Sequence, residues 1–180
     1  MIENIGTFFL ALWTADFIAG FVHWLEDGYC NDGLPLIGSY ICEPNRLHHE
    51  DPSLMVRTGS LLSRIALPGA ASLSMCVVLW LFGQFSMYAL LVAFFLTIAN
   101  EVHAWNHSAR PSRAISWVLD FGIFQDRKQH AKHHRPPHET NYCVLTSHLN
   151  PILDCIGFWR LLEAALAMVG IRKVGKDLSR

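Results

Sequence analysis

The sequence is poor in charged residues and in cysteine. Only 16% of its 180 residues are charged and 52% are hydrophobic, which is too apolar for an ordinary soluble domain. The net charge of -1 provides no basic face, so we expect no nucleic-acid partner. The five cysteines are an odd number without a C-x-x-C pair. We therefore interpret them as packing or loop thiols rather than disulfide or metal cysteines.

Three long apolar runs stand out in the rest of the chain. They cover about residues 5–25, 65–82 and 86–104, and each approaches the roughly 20 residues that a helix needs to cross a bilayer. The first run lacks the basic segment of a signal peptide, so we interpret it as a retained span. The short turn at Gly83 joins the other two as a helical hairpin. The sequence predicts an all-α polytopic membrane protein with about three transmembrane helices, in one domain over residues 1–180.

Lysine and arginine are distributed unevenly along the chain. None precedes the first apolar run, three lie between the first and second runs, and the other eleven follow the third. Cytoplasmic loops carry the excess of these residues in membrane proteins. We therefore expect the N-terminus outside and the C-terminus inside, in a bacterial inner membrane or the endoplasmic reticulum.

Two later apolar segments differ from the three runs. Residues 114–124 are too few to span a bilayer and contain Asp120, and residues 151–169 carry several charges. We predict that both form interfacial helices on the cytoplasmic side, the second opening at an Asn150 N-cap. A kinked fourth span over residues 151–169 is the alternative.

Eight of the ten histidines lie beside the apolar runs in clusters with ligand-like spacing. They are His23, His48, His49, His103, His107, His130, His133 and His134. Histidines three or four residues apart share a helix face, as ligands of one metal require. Adjacent histidines diverge, so His48 and His49 could serve two ions, as could His133 and His134. Because neutral imidazole is the commonest ligand of iron, zinc and copper, the pattern predicts a polynuclear metal site rather than eight solvated loop histidines.

Five further polar residues are candidates to support or complete this site. They are Asp16, Asp27, Asn100, His138 and Glu139. Asp16 lies about two helical turns before His23, and a carboxylate within a span is costly unless paired. We expect it to orient a histidine ligand, with a helix-packing hydrogen bond as the alternative. Asp27 is expected to bind the metal or orient a ligand, and Asn100 to bond a ligand or water. His138 and Glu139 follow two prolines and could close over the site.

These residues stand in motifs that resemble a known family. The motifs are Asp16-Phe17-x2-Gly20-x2-His23-Trp24-x2-Asp27, His48-His49-x-Asp51-Pro52, Asn100-x2-His103-x-Trp105-x-His107 and His130-x2-His133-His134-x3-His138-Glu139-Thr140-x-Tyr142-Cys143. Over roughly residues 15–163 the chain is similar to the plasmanylethanolamine desaturase family, also called Kua-like or CarF-like lipid desaturases. A plastid phosphatidylglycerol desaturase branch also looks similar around His103 and Tyr142. The plasmanyl branch has a basic motif where residues 43–47 read Glu-Pro-Asn-Arg-Leu here.

The resemblance implies an O2-dependent desaturase that inserts a double bond into a phospholipid chain at two iron ions held by the eight histidines. The expected reaction turns plasmanylethanolamine into plasmenylethanolamine. No haem, flavin or iron–sulfur motif is present, so an external cytochrome b5-like or ferredoxin donor is implied. Trans-3 type acyl-chain desaturation and lipid hydroxylation are alternatives on the same scaffold. A membrane metal transporter or sensor would need ionisable residues at mid-membrane depth on several helices, and only Asp16 qualifies.

Overall fold

The computed structural model describes residues 2–174, and the side chains of residues 4–174. The ends of the predicted 1–180 domain therefore lie outside the described residues. Within them the chain is helical and forms no strand. The helices are α1 (Ile2–Tyr29), α2 (Glu43–Glu50), α3 (Leu54–Arg57), α4 (Leu61–Leu81), α5 (Met87–His107), α6 (Arg113–Asp120), α7 (Arg127–His133), α8 (Leu149–Cys155) and α9 (Phe158–Met168), with a π-helical turn at Gly38–Cys42.

Three helices, α1, α4 and α5, are long and apolar enough to cross a bilayer. The predicted spans fall on these helices. Each helix extends several residues beyond its predicted span at the end nearer the histidine cluster. α4 and α5 form the predicted hairpin, and Gly83 turns between them with a φ of +68°, which glycine adopts without strain. The all-α, three-span prediction is confirmed, and no fourth helix among residues 2–174 meets the same length and hydropathy criteria.

The core lies between α1 and α5. Ala11, Leu12 and Ala15 of α1 pack against Val92 and Phe95 of α5, and all five are buried. Small residues at such a contact let two helix backbones approach closely. α4 packs on α5 but leaves most of its own surface exposed, as expected of a helix that faces lipid.

The predicted helix over residues 151–169 is interrupted in the structure. α8 ends at Cys155 and α9 begins at Phe158, because Gly157 adopts a left-handed conformation with a φ of +66°. Asn150 is not the N-cap of α8. It lies inside the helix and is fully buried. The other predicted interfacial helix, over residues 114–124, ends earlier, at Asp120.

The interpretation of all five cysteines as free thiols was wrong. Cys30 and Cys42 form a disulfide, with Cα atoms 5.3 Å apart, across the loop between α1 and α2. Cys76, Cys143 and Cys155 are free. Since the two bonded cysteines are 12 residues apart and lack a C-x-x-C spacing, only the fold that brings their Cα atoms together shows the pairing.

Candidate metal centre

The eight predicted histidines converge into one cluster at the ends of α1 and α5. α1 supplies His23, α2 supplies the adjacent pair 48–49, and α5 supplies the pair 103 and 107. The other three come from α7 and its C-cap, His134. Rings from different helices approach closely, with centroids 4.4 Å apart for His23 and His133 and for His48 and His107. Residues far apart in sequence thus form a single site.

Five histidines make up the first ligand group, in which one nitrogen of each lies within 4.8 Å of the others. They are His48, His103, His107, His130 and His134. The Nε2 atom of His130 is 2.7 Å from Nε2 of His107 and 3.1 Å from Nε2 of His134. Two imidazole nitrogens bound to one ion at about 2.1 Å and at right angles are about 3.0 Å apart. The spacing therefore fits ligands of one ion.

The second ligand group combines His23, His49 and His133 with Asp27. One carboxylate oxygen of Asp27 is 2.9 Å from Nε2 of His49, and the other is 3.3 Å from Nε2 of His133. Asn45 donates a hydrogen bond to the same carboxylate at 2.8 Å. The pairs 48–49 and 133–134 each divide between the two groups, as adjacent helical residues must when they point in different directions.

Many buried ring nitrogens of the cluster have no hydrogen-bond partner. They are Nε2 of His23, both nitrogens of His48, Nδ1 of His49, Nε2 of His103, Nδ1 of His130, Nε2 of His133 and Nδ1 of His134. Each unsatisfied buried polar group costs about 1–3 kcal/mol, so folded proteins contain few of them. Bound metal ions would take up the lone pairs at Nε2 of His23, His103 and His133, whereas His49, His130 and His134 would bind through the Nε2 atoms that face the cluster. The donor set fits two ions side by side.

Three histidines outside the spans, His48, His130 and His134, are held in the neutral form. Burial, reinforced by the neighbouring histidines, lowers the pKa of His48 and His130 well below the usual range. The same causes lower the pKa of His134 to about 2. Neutral imidazole keeps the lone pair that a metal needs, so these three histidines can bind metal at neutral pH.

The irregular segment of residues 140–147 holds two of the histidines in place. Its Tyr142 carbonyl accepts a hydrogen bond from Nδ1 of His23 at 3.1 Å, and its Thr140 carbonyl accepts one from Nδ1 of His133 at 2.8 Å. A carbonyl partner on Nδ1 fixes the proton there and leaves Nε2 for a metal. In both histidines, Nε2 makes no hydrogen bond and faces the Asp27 carboxylate, at 3.8 Å from His23 and 3.3 Å from His133.

Three buried side chains anchor this 140–147 segment. Asp16 accepts hydrogen bonds from the Leu145 amide at 2.8 Å and the Thr146 hydroxyl at 2.6 Å. Gln125 donates to the Cys143 carbonyl at 2.6 Å, and Asn150 bonds both the amide and the carbonyl of Cys143. Irregular backbone beside a span is stable only when protein groups satisfy it in this way. Sequence reasoning missed Gln125 and the role of Asn150, because neither lies in a histidine motif.

Two of the further candidates make no direct hydrogen bond to a ligand histidine among the described residues. The hydrogen bonds of Asp16 go to the 140–147 segment and not to a histidine, so it reaches His23 only through the backbone at Tyr142. Asn100 is exposed on α5, and within the described chain it makes no hydrogen bond to a ligand histidine. An i, i+3 pair is offset by about 60° around a helix, enough to turn Asn100 away while His103 points inward.

The other candidates lie at or near the cluster. Asp27 belongs to the second ligand group. His138 is buried, its Nδ1 lies 3.0 Å from the His133 carbonyl, and it belongs to neither group. Glu139 pairs with Lys173 at 3.4 Å, so its carboxylate ties down the chain after α9 instead of closing over the histidines.

This fold and site define a polytopic membrane protein with a histidine-rich centre suited to metal. Residues 12–173 match the lipid desaturase domain, and the chain belongs to the lipid desaturase family. It is 32% identical over 161 residues to plasmanylethanolamine desaturase 1 of Mus musculus, covering 83% of this chain and 59% of that protein. It is 30% identical over 168 residues to a probable fatty acid desaturase of Acanthamoeba polyphaga mimivirus, covering 91% and 82%.

A plant relative extends the comparison. The chain is 29% identical over 154 residues to the chloroplastic fatty acid desaturase 4 of Arabidopsis thaliana, covering 83% of this chain and 47% of that protein. The chain thus spans about half of the plant relative and three fifths of the mouse relative. No solved structure matches it.

Proposed function

We propose that the protein is an O2-dependent lipid desaturase with a two-iron centre formed by the eight histidines and Asp27. The observation that carries this proposal is the division of these nine side chains into two adjacent ligand groups. Family membership supports the reaction type. When bound, the irons would supply the redox chemistry by which O2, two external electrons and two protons take two hydrogens from a methylene pair and leave two water molecules.

The two ligand groups give the irons different surroundings. Five neutral imidazoles contribute no charge to the first, whereas the Asp27 carboxylate brings a negative charge to the second. Carboxylate oxygen is a harder ligand than imidazole nitrogen, so we propose that the two irons are inequivalent. The carbonyls of Thr140 and Tyr142 hold two ligands of the second group, which makes the 140–147 segment part of that iron's support.

The proposed substrate is the alkyl chain of plasmanylethanolamine, which becomes the vinyl ether of plasmenylethanolamine. The name of the mouse relative supports this choice. The second candidate is a phospholipid acyl chain, which the name of the Arabidopsis relative favours. Both substrates are membrane lipids that would reach the cluster from the bilayer around α1, α4 and α5.

We further propose that the histidine cluster faces the cytoplasm, with the N-terminus on the other side. The excess of lysine and arginine after the third span supports this orientation. The electrons would come from a cytochrome b5-like protein or a ferredoxin on the cytoplasmic face.

Metal analysis combined with O2 uptake tests the proposed function. Purified protein in lipid nanodiscs should contain two irons per chain and consume O2 only when reductant and lipid substrate are both present. Mass spectrometry of the lipid should show a loss of two mass units. Bound metal without lipid-dependent O2 uptake would support a metal transporter or sensor instead, and a gain of oxygen in the lipid would identify a hydroxylase.

A further inference from the structure

A half-open cavity of about 160 Å³ lies against the five-histidine group. Three of those histidines, His107, His130 and His134, form part of its wall, and Asn106 and Arg127 contribute polar side chains. A single water needs only ~10–15 Å³ on a comparable measure. The cavity is therefore large enough for a polyatomic group that reaches the ligand histidines.

Arg127 brings an uncompensated positive charge to this cavity. It takes part in none of the ion pairs formed in the described part of the chain. Its one hydrogen bond, to the Trp105 carbonyl, is long at 3.5 Å. The preceding acid, Asp126, is engaged with the amides of Lys128 and Gln129 at the start of α7. Arg127 is thus half-buried, and no carboxylate among residues 4–174 forms an ion pair with it.

Two other arginines on the histidine side are already engaged, and the exposed Lys128, Lys132 and Arg135 do not line the cavity. Arg46, the one cation of residues 43–47, pairs with Asp32 at 2.8 Å and with Glu50 at 2.7 Å. Arg64 pairs with Glu101 at 2.6 Å. Arg127 differs from both, because it lines the cavity and pairs with no acid in the part of the chain that the structure describes.

Asn106 adds a buried acceptor to the same wall. Its Oδ1 atom is buried and has no hydrogen-bond partner, whereas its Nδ2 donates to Gln125 at 3.4 Å. A cation beside a free acceptor suits a ligand that carries an anionic group together with a hydroxyl or ammonium donor. The planar fork of an arginine matches phosphate oxygens in particular.

We propose that this cavity binds the phosphate of a phospholipid, with Arg127 donating to the phosphate oxygens and Asn106 accepting from a donor on the same lipid. The site holds the polar end of the lipid next to the five-histidine group and makes Arg127 a residue that selects phosphorylated lipids. The assignment rests on the proposed function for the class of lipid, but its test requires only binding and no turnover.

Equilibrium binding to the protein as purified, without O2 or reductant, tests this site. The probes are a short-chain phosphatidylethanolamine, the matching diacylglycerol without phosphate, and inorganic phosphate. Arg127→Gln should weaken binding of the phospholipid about 10- to 100-fold, the range for losing a hydrogen bond to a charged group, and leave binding of the diacylglycerol unchanged. Arg127→Lys should retain part of the preference. Lys128→Gln, at the exposed neighbouring position, is the matched control and should bind as the wild type does.

The results separate this proposal from the proposed function. If the protein distinguishes the two lipids through Arg127 but never consumes O2, the phosphate site is supported and the desaturase proposal is wrong. Equal affinity of the wild type for the two lipids would overturn the phosphate site. So would an Arg127→Gln variant that has an unchanged melting temperature and loses affinity for both lipids equally. Tight binding of inorganic phosphate without discrimination between the lipids would assign the cavity to free phosphate and overturn it as well.

Discussion

The hydroxyl of Thr146 donates a 2.6 Å hydrogen bond to the carboxylate of Asp16, across 130 positions in the sequence. Asp16 is fully buried within α1, where a charge is stable only if polar groups compensate it. Thr146 and the Leu145 amide provide this compensation. His23 lies about 10 Å further along the same helix and bonds Tyr142 of the same segment. The carboxylate and the histidine therefore hold the 140–147 segment at two points on α1.

Replacement of Asp16 should impair the proposed iron centre from a distance. Asp16→Asn retains one acceptor oxygen but places an amide N–H group against one of the two donors. We expect a folded protein that keeps part of its iron and turns over about 10- to 100-fold more slowly, as is typical when a group that supports a metal ligand is lost. Asp16→Leu should lower activity further. The measurements are iron content and turnover, and wild-type values for Asp16→Leu would contradict the role of the segment.

Gly20 is needed because α1 lies directly against Cys143. A Cβ atom at position 20 would lie 2.7 Å from the Cys143 sulfur and 3.0 Å from its backbone nitrogen and Cα, and Asn150 holds that backbone in place. Gly20→Ala should therefore destabilise the fold by about 1–3 kcal/mol, as overpacking usually does. The control is Gly6→Ala in the same helix, where a Cβ meets nothing within 4 Å. Melting curves in detergent are the measurement. An equal decrease in the melting temperature of both variants would argue against the contact.

The spans and the histidine set could be predicted because both depend on local spacing. Apolar length identifies a span, and the pair His103 and His107 shares a helix face in any α-helix. The 140–147 segment has no such periodicity, and its anchor Asp16 lies about 130 residues earlier. The role of Asp16 was therefore assigned to the nearest histidine on its own helix, whereas its actual partners appear only in the fold.

The division of the cluster into two groups was also only partly visible in the sequence. Adjacent histidines such as 48 and 49 must diverge, which indicated two ions. Whether Asp27 binds metal or supports a ligand depends on how α1 approaches α2 and α7. In the structure its carboxylate lies between His49 and His133. These two contacts join different helices, so the spacing of residues along α1 could not predict them.

Asp27→Asn should separate the two ligand groups. The substitution keeps the size of the side chain but removes the negative charge from the second group, while the five histidines of the first group are unchanged. We expect iron to fall from two toward one per chain and turnover to be lost. His48→Ala should instead lower the iron content of the first group. The control is His148→Ala, at an exposed position, which should retain both irons. Two fully retained irons in Asp27→Asn would exclude the carboxylate as a ligand.

The Cys30–Cys42 disulfide should stabilise the part of the chain that presents His48 and His49. It closes a loop of 12 residues directly before α2, and a cross-link of this kind is typically worth about 2–4 kcal/mol through the unfolded state. Cys30→Ser should lower the melting temperature and the iron content, and reductant should have the same effect on the wild type but none on the variant. Thiol titration of the unfolded, unreduced protein should give three free cysteines, and five would show that the bond does not form.

The last prediction concerns the side of the membrane on which the histidine cluster lies. Two features of the chain indicate opposite sides. The excess of lysine and arginine predicts a cytoplasmic cluster. Disulfides, however, are rare in the reducing cytosol, and Cys30–Cys42 lies on the same side as the cluster.

In a background without native cysteines, Gln84→Cys in the exposed α4–α5 turn and Lys132→Cys on the exposed face of α7 mark the two sides. We expect a membrane-impermeant maleimide to label Gln84→Cys on intact cells and Lys132→Cys only after permeabilisation, because the charge bias is spread over eleven residues after the third span. Labelling of Lys132→Cys on intact cells would reverse the orientation, account for the disulfide, and require an electron donor on the outer face.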